Sequence, residues 1–151
     1  NPSKTVKDGQ HESVREAVLK GRVLLVEDEE SVLDFERDVL SGAGAQVVAV
    51  ASLDAMKTAL SSQTCDAIVM NGKMPGSSSV QETRKWVAET WPELGSHLMF
   101  TFSSLAEPDV RSFLEQSEVQ YLVKPFEIGD LIAAARKLLE KPRAAAAKAG
   151  E

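Results

Sequence analysis

The chain has 151 residues, enough for one compact domain at roughly 150 residues per domain. Hydrophobic residues make up 43% and charged residues 26%, a globular profile with enough apolar material for a core. Seventeen basic against 23 acidic residues leave a net charge of −6, which argues against a general nucleic-acid or anionic-membrane binder. One cysteine, Cys65, excludes an internal disulfide and fits a reducing, cytoplasmic setting. No apolar run approaches the roughly 20 residues of a membrane span, so no direct membrane contact is expected.

Residues 1–21 read as a polar leader with a short helical piece. Ser13 and Glu16 have capping-box spacing, Val14 and Val18 share a face, and Gly21 is a stop. This piece is either a connector from an upstream domain or an ordered tail on the domain surface. From Arg22 the pattern alternates. Apolar β-rich runs at Val23–Val26, Gln46–Val50, Ala67–Met70, Leu98–Phe102 and Val119–Val123 are each followed by a segment of helical period. The first helix aligns Val32, Phe35 and Val39. The second is capped by Ser52 and aligns Leu53, Met56 and Leu60. The third opens on Ser79 with Glu82 and carries Val80, Trp86 and Val87; Pro108 suits the first turn of the fourth, which buries Val110, Phe113 and Leu114. The fifth carries Ile128, Leu131, Ile132, Ala135, Leu138 and Leu139 and stops at Pro142. Residues 22–140 thus form the domain, and residues 141–151 read as a mobile tail.

Five strands alternating with five helices predict an α/β fold, a parallel sheet covered on both faces through right-handed crossovers. Such sheets place ligands at the carboxyl ends of their strands. Past the first strand stand Glu27 and Asp28, past the third Asn71, near the end of the fourth Thr101, and past the fifth Lys124-Pro125-Phe126. Each piece alone is ordinary. Acidic pairs mark helix starts, Lys-Pro and Asn-Gly mark turns, and threonine is a common strand residue. Their order and strand phase together are informative.

The arrangement resembles the receiver domain of two-component response regulators over about residues 22–140. The matching segments are Val23–Asp28, Asp66–Pro75, Leu98–Thr101 and Tyr121–Phe126. The resemblance implies a flavodoxin-like (βα)5 fold, a doubly wound parallel sheet of strand order 2-1-3-4-5. It implies Asp28 as a direct Mg²⁺ ligand, Glu27 as its helper, and the backbone carbonyl of Lys73 as a third ligand. Thr101 and Lys124 would contact the phosphoryl group, Tyr121 would be an aromatic switch, and the Lys124–Pro125 bond would be cis. The phosphoacceptor position, four before Pro75, holds Asn71 where the family has aspartate. A carboxamide is a far weaker nucleophile than a carboxylate, and the site loses a negative charge, so Mg²⁺ binding is expected to be weak. Phe102 stands where the family commonly has a small residue; it either covers the site or packs under the fourth helix, with packing favoured.

The expected function is therefore a receiver module without phosphotransfer, not an enzyme. It would meet a kinase, a phosphotransfer domain or an output domain through the face formed by the fourth helix, fifth strand and fifth helix. The alternative is a normal receiver, as in a hybrid histidine kinase, in which Asn71 was introduced. The Asn1-Pro2 start favours a segment of such a longer protein. A flavodoxin-like flavin or nucleotide enzyme is disfavoured, because no phosphate-binding glycine loop is present and His11 and His97 lie away from the carboxyl edge.

Overall fold

A computed structural model describes residues 18–142, and the helical leader piece around Ser13–Glu16 lies outside them. Strands β1 (Arg22–Val26), β2 (Gln46–Val50), β3 (Ala67–Asn71), β4 (Leu98–Phe102) and β5 (Gln120–Val123) pair in parallel in the order 2-1-3-4-5. Helices α1 (Glu30–Gly42), α2 (Leu53–Ser62), α3 (Val80–Thr90), α4 (Pro108–Gln116) and α5 (Ile128–Leu139) connect or follow them. A short 3-10 turn at Pro92–Leu94 leads into β4. The expected flavodoxin-like topology is the observed one.

Strand alternation divides the core in two. Leu24, Val26, Ile68, Met70 and Phe100 face α2, α3 and α4, where they meet Met56, Val80, Val87, Val110 and Phe113. Val23, Leu25, Val69 and Met99 face α1 and α5, against Leu33, Leu40, Leu131, Ala135 and Leu138. Each fully buried Val, Leu or Phe stabilises the fold by about 1.5–3 kcal/mol, and both faces are covered, as a parallel sheet requires. Leu19 extends the second layer upstream of β1: it is buried, and its N–H donates to Ala43 O. Gly21, at φ +127°, turns the chain into β1 where a Cβ would press on Asp66.

Two helical stripes differ from expectation. In α1 the buried residues are Leu33, Glu36 and Leu40, while Phe35 is 36% exposed and Val32 and Val39 are half-buried. Positions 32/35/39 and 33/36/40 share the same spacing, and the all-apolar set is the obvious choice. The fold instead buries a carboxyl group and lets Phe35 pack on Phe126 at the surface, ring centroids 6.1 Å apart. In α5, Ile128 is 55% exposed because it begins the helix, ahead of the turns that reach the sheet. Reciprocal capping by Glu127 and Asp130 holds that end instead. Lys141, expected in the tail, is anchored: its carbonyl meets His97 Nε2 at 3.0 Å, and its Nζ donates to Ser96 O.

Candidate functional site at the carboxyl edge

The strand order reverses between β1 and β3, and the residues just past these strands converge there. Glu27 continues β1, its N–H donating to Val50 O, and its side chain is only 1% exposed. Asn71 is the last residue of β3, one beyond the expected end. Lys124 follows β5, where its N–H donates to Phe102 O and the bond to Pro125 is cis, as expected.

These side chains form one connected network. Lys124 Nζ donates to Glu27 Oε1 at 2.8 Å and to Asn71 Oδ1 at 3.3 Å. Asn71 Nδ2 donates to Asp28 Oδ1 at 2.8 Å and to Glu27 Oε2 at 3.2 Å. The backbone N–H of Lys73 reaches Asn71 Oδ1 at 3.4 Å. The orientation of the amide follows from charge. Its NH₂ faces two carboxylates and its oxygen faces an ammonium and an amide N–H; turning it over would set like partial charges against each other on both sides.

Around this network lies a cavity of about 470 Å³, whose wall includes Asp28, Asn71, Lys73, Phe102, Ser103 and Lys124. Lys73 and Glu107 form an ion pair across its edge, joining the loop after β3 to the start of α4. Thr101 is fully buried and its hydroxyl has no hydrogen-bond partner. Tyr121 is 42% exposed and turned outward, its ring edge-on to Phe102 at 6.2 Å. Phe102 packs in the core with Phe100, as favoured, yet it also lies against the backbone after Asn71, since a Cβ on Gly72 would overlap its ring. Asp66, before β3, and His97, before β4, sit at the opposite edge. Asp66 accepts from Arg22 N, and His97 is buried.

Glu36 and Glu107 belong to no sequence motif of the site. Glu36 is 1% exposed, and its Oε2 has no hydrogen-bond partner. Burial, and secondarily the negative charge of Glu27, push its carboxyl up to about 8, with Lys124 opposing. A charged residue three after Leu33 and four before Leu40, on one helix face, was the available signal.

The residues fit Mg²⁺ poorly as they stand. Mg²⁺ requires an octahedral set of oxygens, and here an amide nitrogen lies between the two carboxylates. A cation there would have to rotate the amide, leaving NH₂ against Lys124. Among the described residues, no group of three or more acidic, histidine or cysteine side chains is arranged for a metal.

The same contacts bear on the Asn71–Gly72 pair, a sequence prone to deamidation through attack of the glycine nitrogen on the side-chain carbonyl carbon. Gly72 N–H donates to Thr101 O at 2.7 Å, and both ends of the Asn71 amide are held. Peptide mapping of native protein and of the unfolded chain at the same pH and temperature is expected to find deamidation at Asn71 much slower in the folded state. Equal rates would show that these contacts give no protection.

Residues 23–136 match the response regulator receiver domain family, and the chain belongs to that family. Solved structures share the fold at low identity. A receiver domain protein from Clostridium thermocellum is 18% identical, TM-score 0.65, over 80% of this chain and 94% of that one. A receiver protein from Sinorhizobium medicae is 23% identical, TM-score 0.64, over 78% and 93%. NtrX from Brucella abortus is 20% identical, TM-score 0.70, over 81% of this chain but 27% of the longer NtrX chain. No curated protein matched the chain.

Proposed function

We propose that this receiver domain acts without phosphotransfer, as a protein-interaction module of two-component signalling. The reading rests on one observation: at the position of the family's phosphoacceptor, the Asn71 amide is donor to both carboxylates and acceptor from Lys124. In this reading the neutral Asn71 amide hydrogen-bonds both carboxylates while Lys124 is the cation paired with Glu27, and no carboxylate stands where a phosphoryl group would be accepted. Glu27, Asp28 and the carbonyl of Lys73 remain as a weak donor set for Mg²⁺. Thr101 and Lys124 keep the phosphoryl-facing positions, and Tyr121 the switch position, set outward. The domain itself transfers no group, and its parent is a longer signalling chain such as a hybrid histidine kinase. If Asn71 was introduced into a normal receiver, the same chemistry describes a form held unphosphorylated.

The partner face in this reading comprises α4, β5 and α5, where Tyr121, Val123 and Ile128 are exposed apolar groups on adjoining elements. The partner is a protein: a kinase, a phosphotransfer domain or an output domain. No helix among the described residues is long and apolar enough to cross a membrane. A Mg²⁺ titration followed by NMR of the Asn71 side-chain NH₂ tests the site. Millimolar Mg²⁺ is expected to leave these resonances and their Asp28 contact in place; a saturable shift at low Mg²⁺ would overturn the internally hydrogen-bonded site.

A further inference from the structure

We propose that the Phe102 ring links the backbone after Asn71 to Tyr121, so that a displacement at the candidate site is passed to the partner face by packing. The ring touches both ends of that path. On one side it fills the space beside Gly72, where a Cβ would overlap its Cε1 and Cδ1 atoms. Gly72 has no left-handed backbone that would call for glycine, so the ring itself excludes a side chain there. On the other side it meets Tyr121 edge-on, with ring centroids 6.2 Å apart.

The backbone around the ring is tied. Gly72 N–H donates to Thr101 O and Lys124 N–H donates to Phe102 O, each at 2.7 Å, which joins β3, β4 and β5 at this edge. Phe102 is buried and also packs on Phe100. A close-packed ring does not yield by compression; when the Gly72 backbone moves against it, the ring turns, and Tyr121, exposed on one side, is the neighbour free to follow. Thr101 offers no such path. It pairs in register with Leu122, which packs in the layer of α1 and α5, whereas Tyr121 pairs with Phe100 in the layer of α2, α3 and α4. Strand alternation therefore sets the Thr101 and Tyr121 side chains on opposite faces of the sheet. The Thr101 hydroxyl also has no hydrogen-bond partner among the described residues through which to act. The inference rests on the proposed reading of Tyr121 as part of a partner face, but its test uses neither a partner nor Mg²⁺, so either can fail while the other stands.

Tyr121 is the one tyrosine of the chain, so incorporated fluorotyrosine gives a single fluorine NMR signal that reports it. Gly72→Ala is expected to shift that signal, because the added Cβ displaces the Phe102 ring. Gly42→Ala, whose Cβ meets nothing within 4 Å, is expected to leave it in place. In a Phe102→Leu background, which keeps the position apolar, the shift caused by Gly72→Ala is expected to be lost. The reverse direction is the second measurement: Tyr121→Ala, a truncation at an exposed ring, is expected to shift the Gly72 amide resonance in the parent chain and not in Phe102→Leu. Folded Gly72→Ala protein with an unmoved Tyr121 signal would overturn the link. Shifts of equal size with and without the Phe102 ring would overturn it too, by showing another path. Should Gly72→Ala fail to fold, Tyr121→Ala decides alone, and a Gly72 amide unmoved in the parent, or moved equally in Phe102→Leu, is the contrary result.

Discussion

Glu36→Gln is expected to remove a large alkaline loss of stability from this protein. The carboxyl titrates near 4.5 when exposed and at about 8 in the fold, where burial, then the charge of Glu27, disfavour its ionised form. Between these values the folded state keeps a proton that the unfolded state has released, so stability falls as pH rises. The contribution is complete below the unfolded value and lost as pH passes through the folded one. A shift of this size on a group 1% exposed corresponds to several kcal/mol, on the order of 5. Urea unfolding at about pH 5 and about pH 9 would show the fall in the parent chain and a much flatter profile in Glu36→Gln. Equal profiles would mean that Glu36 ionises without cost, through water or a local rearrangement.

Asn71→Asp is expected to destabilise the metal-free fold by about 2 kcal/mol. The substitution turns two hydrogen bonds, at 2.8 and 3.2 Å, into contacts between carboxylates, with Lys124 as the ammonium between them. The same change supplies the third carboxylate that a divalent cation needs, so Mg²⁺ should restore stability to the variant by mass action and leave the parent unchanged. Urea titrations with EDTA and with Mg²⁺ separate the two effects. An Asn71→Asp form more stable than the parent in EDTA would defeat this account.

The fold was legible because parallel strands buried on both faces are nearly continuous apolar runs, and because Glu27, Asp28, Asn71, Thr101 and Lys124 each stand just past or at the end of a run. Their convergence follows from topology. What was not legible depends on choices that topology leaves open. The α1 register could place either of two neighbouring stripes inward, and only packing selected the one with Glu36. The Asn71 amide could face either way until the carboxylates and Lys124 were set around it. The Lys73–Glu107 pair joins residues 34 positions apart on separate loops, beyond any local pattern. Phe102 was legible as core, but its second contact, with the backbone of Gly72, depends on how closely β3 and β4 approach at the carboxyl edge.

Intact mass shows whether residue 71 alone separates this domain from phosphotransfer. Phosphoryl acceptance needs a carboxylate oxygen to attack phosphorus and form an acyl phosphate, which the Asn71 amide cannot do. Freshly prepared protein incubated with Mg²⁺ and acetyl phosphate is expected to keep its mass, while Asn71→Asp gains one phosphoryl group. Stoichiometric labelling of the parent chain would contradict the claim by showing another acceptor. An unlabelled Asn71→Asp form would contradict it from the other side, placing the block at Phe102 or in the wider geometry of the site.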